Sequence, residues 1–268
     1  RDAQESRGLG DVYKRQGRVA ENQRIAQLVQ EIHRESPDKG YRRIRDDLDK
    51  YYHTPVNDKR TLRICRGLGI QSVVKHAPHG CTRAASSPRQ LAENVLDRQF
   101  YADRPNEKWL TDVTEFHYYT GTNMRKLYLS AILDLCDRRI VSFVIRDTND
   151  AALVHRTLAQ ALEGNPGARP LLHSDRGSAY TTQIFHDKLA AAGITQSMSR
   201  VGKCIDNGPM EGFWGILKRE RYYGRRFTSR EQLVKMIQEY ITYYNFRRLQ
   251  RGLGVRTPME VHDRLLAS

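Results

Sequence analysis

WLTDVTEFHYYTGTNMRKLYLSAILDLCDRRIVSFVIRD, residues 109–147, alternates with a period of two, the mark of strands rather than helices. In its first part Leu110, Asp112, Thr114 and Phe116 share one face, and Trp109, Thr111, Val113 and Glu115 share the other. GTNMRK, 121–126, is turn-like. LYLSAILDL and RIVSFVIRD are apolar and β-branched enough to make a second and third strand, joined tightly across residues 136–139.

Beyond residue 147 the period changes. NDAALVHRTLAQALEGNPG, 149–167, is a capped helix ending in Gly and Pro. PLLHSD, 170–175, is a short buried strand. TTQIFHDKLAAAGI, 181–194, is a helix stopped by Gly193, and TQSMS, 195–199, is a fifth strand. DNGPMEGFWGILKRE, 206–220, opens another helix: Asn207 can cap it and Pro209 suits its first turn. Three antiparallel strands followed by helix, strand, helix, strand and helix is a ribonuclease-H-like order. The expected fold class is α/β, a five-stranded mixed sheet with flanking helices over residues 101–225.

Residues 21–74 read as three short helices before that core. NQRIAQLVQEIHRES has Ile25, Leu28, Val29 and Ile32 at helical spacing. GYRRIRDDLDKYY aligns Ile44, Leu48 and Tyr51 or Tyr52, with Arg42, Arg43 and Arg45 nearby. NDKRTLRICRGLGI starts at a cap, Asn57 or Asp58, and ends at Gly67 or Gly69. Seven basic residues and no acid lie between Lys59 and Ala92. A basic third helix suits a helix-turn-helix reader, with Arg42, Arg43, Lys59, Arg60 and Arg63 toward DNA; a plain helical bundle is the alternative. Residues 75–100 begin as a Pro-, Gly- and Ser-containing linker. Residues 1–16 have no Met start or clear period. Their RGLGDVYKRQ is similar to translated sequencing-adapter read-through, so they read as a non-native tail. Residues 226–268 contain Leu233, Met236, Ile237, Tyr240 and Ile241 at helical spacing, then a capped final helix at RTPMEV.

The 268 residues carry a formal net charge of +14, distributed as +7 over residues 1–100, +1 over 101–200 and +6 over 201–268. Two basic flanks around a near-neutral middle imply a polyanionic partner, most often nucleic acid. No run of apolar residues is long enough to cross a membrane, and no signal peptide is visible. The four cysteines are widely spaced without a C-x-x-C pair, so neither a zinc site nor a disulfide framework is supported; His76, His79 and Cys81 lack a fourth ligand. A reducing cytoplasm is the expected compartment.

Three acids stand out: Asp112 in the first strand, Asp175 at the end of the fourth, and Glu211 opening the following helix. Each has an ordinary reading, as a solvated strand residue, a turn residue before RGS, or a partner of the helix dipole. On the expected topology they meet at one edge of the sheet. Glu115 falls on the opposite face from Asp112, while Asp134 and Asp137 sit by a hairpin turn and read as structural. His173 and Arg176 flank Asp175, with a supporting or substrate role weighed against a surface role.

The blocks WLTDVTEF, LLHSDRGSAYTT and DNGPMEGFWGILKRE resemble the three catalytic blocks of the DDE transposases of bacterial insertion sequences, whose core is similar to retroviral integrases. The resemblance spans residues 21–266. It includes the 35 residues between Asp175 and Glu211, and Lys218 seven positions after Glu211, nearly two helical turns on. ESPDKGYRRIRDDL and NDKRTLRICRGLGI resemble that family's helix-turn-helix-like segment, and YITYYNFRRLQRGLGVRTPMEV resembles its C-terminal block.

The chain resembles the second-frame product of such an element. That implies a transposase catalysing metal-dependent cleavage and strand transfer at element ends, with Asp112, Asp175 and Glu211 as ligands of two Mg²⁺ ions, for which Mn²⁺ substitutes. Carboxylates suit this hard cation, and Cys or His do not. The resemblance assigns Asp112 to both ions, Asp175 to one and Glu211 to the other. Lys203, Asn207 and Lys218 would then face DNA. The implied partners are double-stranded DNA at element ends and target, further copies of the chain, and the upstream-frame product. The implied place is the bacterial cytoplasm, at the nucleoid. Rival readings are another nuclease of the same fold and a catalytically silent DNA-binding remnant or regulator.

Overall fold

A computed structural model describes residues 2–74, 92–200 and 204–267, with side chains from residue 18 in the first stretch and from residue 206 in the third. His76, His79, Cys81 and Lys203 lie outside the described residues. The chain divides into two compact units, Arg1–His76 and Ala77–Ser268. No helix among the described residues is long and apolar enough to cross a membrane.

The first unit has three helices, α1 (Asp2–Glu35), α2 (Tyr41–Lys50) and α3 (Asp58–Gly67). The first is longer than sequence spacing indicated, reaching back through the segment read as a tail. The apolar spacing of 25–32 and 44–48 has a direct outcome: Ile25, Val29, Ile32, Ile44 and Leu48 close one small core with Val56 and Cys65. Asn57 caps α3, its side chain accepting from the Arg60 N–H at 2.8 Å.

In the second unit β1 (Lys108–Thr120), β2 (Asn123–Asp134) and β3 (Ile140–Arg146) form an antiparallel meander. Strands β4 (Leu171–Ser174) and β5 (Thr195–Met198) add in parallel on the other side of β1, for the order β3-β2-β1-β4-β5. The hairpin turn is tighter than GTNMRK suggested. Thr120 already faces Asn123, leaving only Gly121 and Thr122 between the strands, and Gly121 supplies the positive φ of 62° that a two-residue turn needs.

Alternation on β1 divides the apolar side chains between two layers. Helices α4 (Ala151–Gly164) and α5 (Gln183–Ala191) meet the Trp109 face, with Val154, Leu158, Phe185 and Leu189. The Leu110 face meets α6 (Gly208–Leu217) and α7 (Arg230–Phe246) through Phe213, Trp214, Leu217, Leu233 and Ile237. The chain after residue 226 is thus built into the same core as the sheet. A last helix, α8 (Pro258–Leu266), starts at a reciprocal Thr257–Glu260 capping box.

Residues 92–100 are packed rather than linking. Leu96 is buried in the α6 layer, and its N–H donates to Ser197 Oγ at 3.1 Å. Asn94 and Arg98 both reach buried Asp206. An apolar anchor and a buried carboxylate thus fix a stretch whose small and polar residues read as linker.

A π-helical turn, Lys218–Tyr222, follows α6. Its Glu220 is buried and meets Arg248 at 2.7 Å, with the Tyr240 hydroxyl donating to the same carboxylate at 2.9 Å. Arg248→Met removes the cation facing this carboxylate. The expected loss is about 3–5 kcal/mol in urea unfolding, and a loss below about 1 kcal/mol would contradict a structural role for the pair.

Candidate active site

Strand register brings the first two acids together. Leu110 pairs with His173 where β1 runs beside β4. Two residues further along each chain stand Asp112 and Asp175, beyond the last paired residue of β4, where β1 and β4 part. Ser174 is the last strand residue, and Asp175 is held in a turn, its Oδ1 accepting from the Gly177 N–H at 2.8 Å. A Cβ on Gly177 would come within 2.9 Å of that same oxygen, so a larger residue would have to displace the Asp175 carboxylate.

Glu211 comes from above the sheet. It lies in the first turn of α6, whose apolar residues Met210, Phe213, Trp214 and Leu217 are buried against the Leu110 face. Two side-chain bonds tie the helix to β1. Trp214 Nε1 donates to Asp112 Oδ2 at 3.0 Å, and Asn207 Nδ2 donates to the Thr111 carbonyl at 3.3 Å.

Asn207 is therefore 4% exposed and does not cap α6 with its side chain, contrary to both roles expected of it, a cap and a DNA contact. Its amide is consumed in fixing the helix start to the strand. The Trp214 contact is one that sequence reasoning missed. Its signal is local: the indole stands three residues after Glu211, on the helix that covers β1.

The electrostatics reflect this convergence. Burial, then the charge of Asp175 and, more weakly, of Glu211 push the Asp112 carboxyl up to about 7, against the Val113 and Trp214 N–H groups that favour its ionised form. Burial raises Asp175 and Glu211 as well, with the Gly177 N–H opposing at Asp175. None of the three has an ion-pair partner among the described residues. Nor does any set of three His, Cys, Asp or Glu side chains among those residues stand close enough to ligate one ion as placed. The donor set, all carboxylate oxygen with unmet negative charge, fits a hard divalent cation.

The surroundings sort the other residues. His173 is fully buried, its ring nitrogens bridging Ser197 and Ser199 at 2.8 and 3.0 Å, and burial lowers its pKa to about 4, so it is neutral and not a surface group. Arg176 donates to the Ser199 carbonyl at 2.8 Å. Glu115 lies on the opposite face from Asp112, between His117 and Lys126 at 2.7 and 3.1 Å. Asp134 accepts from the Asn106 and Cys136 N–H groups and from Trp109 Nε1, which makes it a structural acid. Lys218 is half-buried with its ammonium 5.0 Å from the Phe116 ring centroid, and its proton affinity is lowered by burial against the pull of Glu115 and Asp112.

In the first unit the expected DNA residues separate. Arg43 pairs with Asp38 of the turn before α2 at 3.0 Å, and Arg60 pairs with Glu21 at 2.8 Å while also bonding Asn22, which ties α3 to α1. Arg42, Lys59 and Arg63 are exposed. Lys59 and Arg63 share a helical face of α3 with exposed Arg66, which the i, i+3 spacing could have revealed.

Comparison with known proteins gives three matches along the chain: an HTH-like domain over residues 20–78 and Integrase core domains over 102–204 and 192–258. A transposase-like protein of Haemophilus influenzae is 40% identical over 211 residues, covering 79% of this chain and 95% of that protein. The protein named as transposase InsK of insertion sequence element IS150 in Escherichia coli K12 is 37% identical over 241 residues, covering 89% of this chain and 83% of its own length. Among solved structures, the simian T-cell lymphotropic virus intasome in complex with PP2A regulatory subunit B56 gamma aligns with a TM-score of 0.52 at 19% identity. It covers 81% of this chain and 73% of that one, a likeness of fold.

Proposed function

The chain belongs to the insertion-sequence transposases that carry an integrase core behind a helix-turn-helix-like domain, and we propose that it cleaves DNA at the ends of such an element and transfers the strand to new DNA. The observation that carries this reading is the placing of Asp112 and Asp175 at the parting of two strands, with Glu211 on the covering helix near enough to raise Asp112, and none of the three in an ion pair among the described residues. Asp112 would serve two Mg²⁺ or Mn²⁺ ions, Asp175 one of them and Glu211 the other. Such ions supply activation of the attacking oxygen and stabilisation of the leaving oxygen in an in-line displacement.

The chain's own groups prepare for this. The Trp214 indole N–H donates to Oδ2 of Asp112 and, with the Val113 N–H, restrains that carboxylate. The Gly177 N–H does the same for Asp175. Lys218, beside Asp112 and at the start of the turn that follows the helix carrying Glu211, is placed to meet a phosphate. Lys59, Arg63 and Arg66 on α3 would contact double-stranded DNA. Two element ends must be held at once, so at least a dimer forms on DNA, together with the upstream-frame product, in the bacterial cytoplasm.

Trp214→Phe keeps the ring and removes the donor. The Mn²⁺ concentration for half-maximal cleavage is expected to rise about 10- to 100-fold with an unchanged thermal midpoint; an unchanged metal requirement would remove Trp214 from the site. The function itself is tested by a strand-transfer assay on a labelled duplex matching the host element's end. Products that require Mg²⁺ or Mn²⁺ are expected. Binding to that duplex without any product would leave a DNA-binding remnant instead.

A further inference from the structure

The segment after the active-site helix runs along the open edge of β1, away from the acids. Lys218 lies against Phe116, and the Tyr222 ring meets Phe116 edge-on at 5.0 Å. The His117 N–H donates to the Tyr222 hydroxyl at 2.8 Å, and the Tyr119 N–H to the Phe227 carbonyl at 2.9 Å. Segment and strand are thus stitched together as far as Tyr119.

At that far end the Arg226 guanidinium lies over the Tyr119 ring, 4.6 Å from its centroid. Arg225 beside it is exposed, as are Arg226 and Tyr223, the latter by 50%. Neither Arg225 nor Arg226 meets a carboxylate among the described residues. Acids of the neighbouring segments are already engaged: Glu220 with Arg248, Glu115 with His117 and Lys126, and Asp147 with Arg230.

From these contacts we infer that Arg225 and Arg226 form a second DNA-backbone site, binding phosphates of the duplex that flanks the scissile bond. This rests on the strand-transfer reading above. Tyr119 is seven residues beyond Asp112 on one strand, about 23 Å at roughly 3.3 Å per residue. At about 3.4 Å per base pair, that is roughly seven base pairs from the reacting phosphate. The ring under Arg226 holds its guanidinium in place without neutralising it, and a planar guanidinium suits a phosphate.

The test is salt-dependent binding of the full chain to a 30-base-pair duplex by fluorescence anisotropy. Each phosphate contact contributes about 0.9 to the slope of log affinity against log salt. Arg225→Gln with Arg226→Gln is expected to reduce the slope by about 1.8, Arg225→Gln alone by about 0.9, and the paired Lys variants to keep it. The single variant changes only an exposed side chain, so it reads the site even if the double variant unfolds. Wild-type binding with the same slope in the Gln variants would overturn the second site alone. If the wild type bound no duplex, the strand-transfer reading would fall with it. Asp112→Asn, which should bind with the wild-type slope and not cleave, separates the two.

Discussion

Glu211→Gln and Asp112→Asn are each expected to lower metal-dependent strand cleavage by about 10³-fold or more while leaving duplex affinity near wild type. Both changes preserve shape and remove a charge from a set of three, none of which is in an ion pair among the described residues. Losing one preorganised electrostatic partner in a reaction that develops charge on phosphate oxygens costs on the order of 10²–10³ in rate, and removal of a metal ligand adds lost ion affinity to that. Single-turnover cleavage of a pre-nicked and an intact element-end duplex measures the effect for each strand-breaking step. A variant that cleaved within tenfold of wild type would remove that carboxylate from the reaction.

The second large effect is on stability. Asp112 binds its proton more tightly in the folded protein, with a pKa of about 7 against an ordinary value near 4. Between those pH values the folded state carries more protons than the unfolded one. Without divalent cation, stability therefore falls as pH rises from about 4 to about 7 and then levels off, as far as Asp112 contributes. Asp112→Asn cannot ionise and escapes this loss.

At pH 8 and without metal, Asp112→Asn is expected to melt roughly 3–8 °C above wild type. The difference should vanish near pH 4, and Mg²⁺ should raise the wild-type midpoint at pH 8 but not the variant's. Calorimetry across pH, with and without Mg²⁺, gives all three results. A variant less stable than wild type at pH 8 would mean that Asp112 is held by contacts that favour its charge.

The strands and helices of the second unit were legible because their periods are strong and their ends are marked: Gly121 for the hairpin, Asp150 and Thr182 as caps, Gly193 as a stop. The placing of Asp112 beside Asp175 followed from order alone once the first strand lay between an antiparallel and a parallel neighbour. What escaped was the use made of polar side chains inside the layers. Asn207 has the composition of a cap, yet its amide reaches sideways to Thr111. Arg43 and Arg60 have the charge of DNA ligands, yet Asp38 and Glu21 lie close enough in space to bind them. His173 flanks a functional acid in sequence, but strand alternation turns it inward to Ser197 and Ser199. Apart from Arg43 and Asp38, which are five residues apart, these pairings join segments far apart in the chain, which no local pattern encodes.

The central claim is that Asp112, Asp175 and Glu211 together hold divalent metal. Anomalous diffraction from crystals of the full chain grown with Mn²⁺ and a short DNA end tests it most directly. Two manganese peaks roughly 3.5–4 Å apart, each touching Asp112 and sharing Asp175 and Glu211 between them, are the predicted result. Ordered carboxylates with manganese bound only elsewhere on the protein would contradict it.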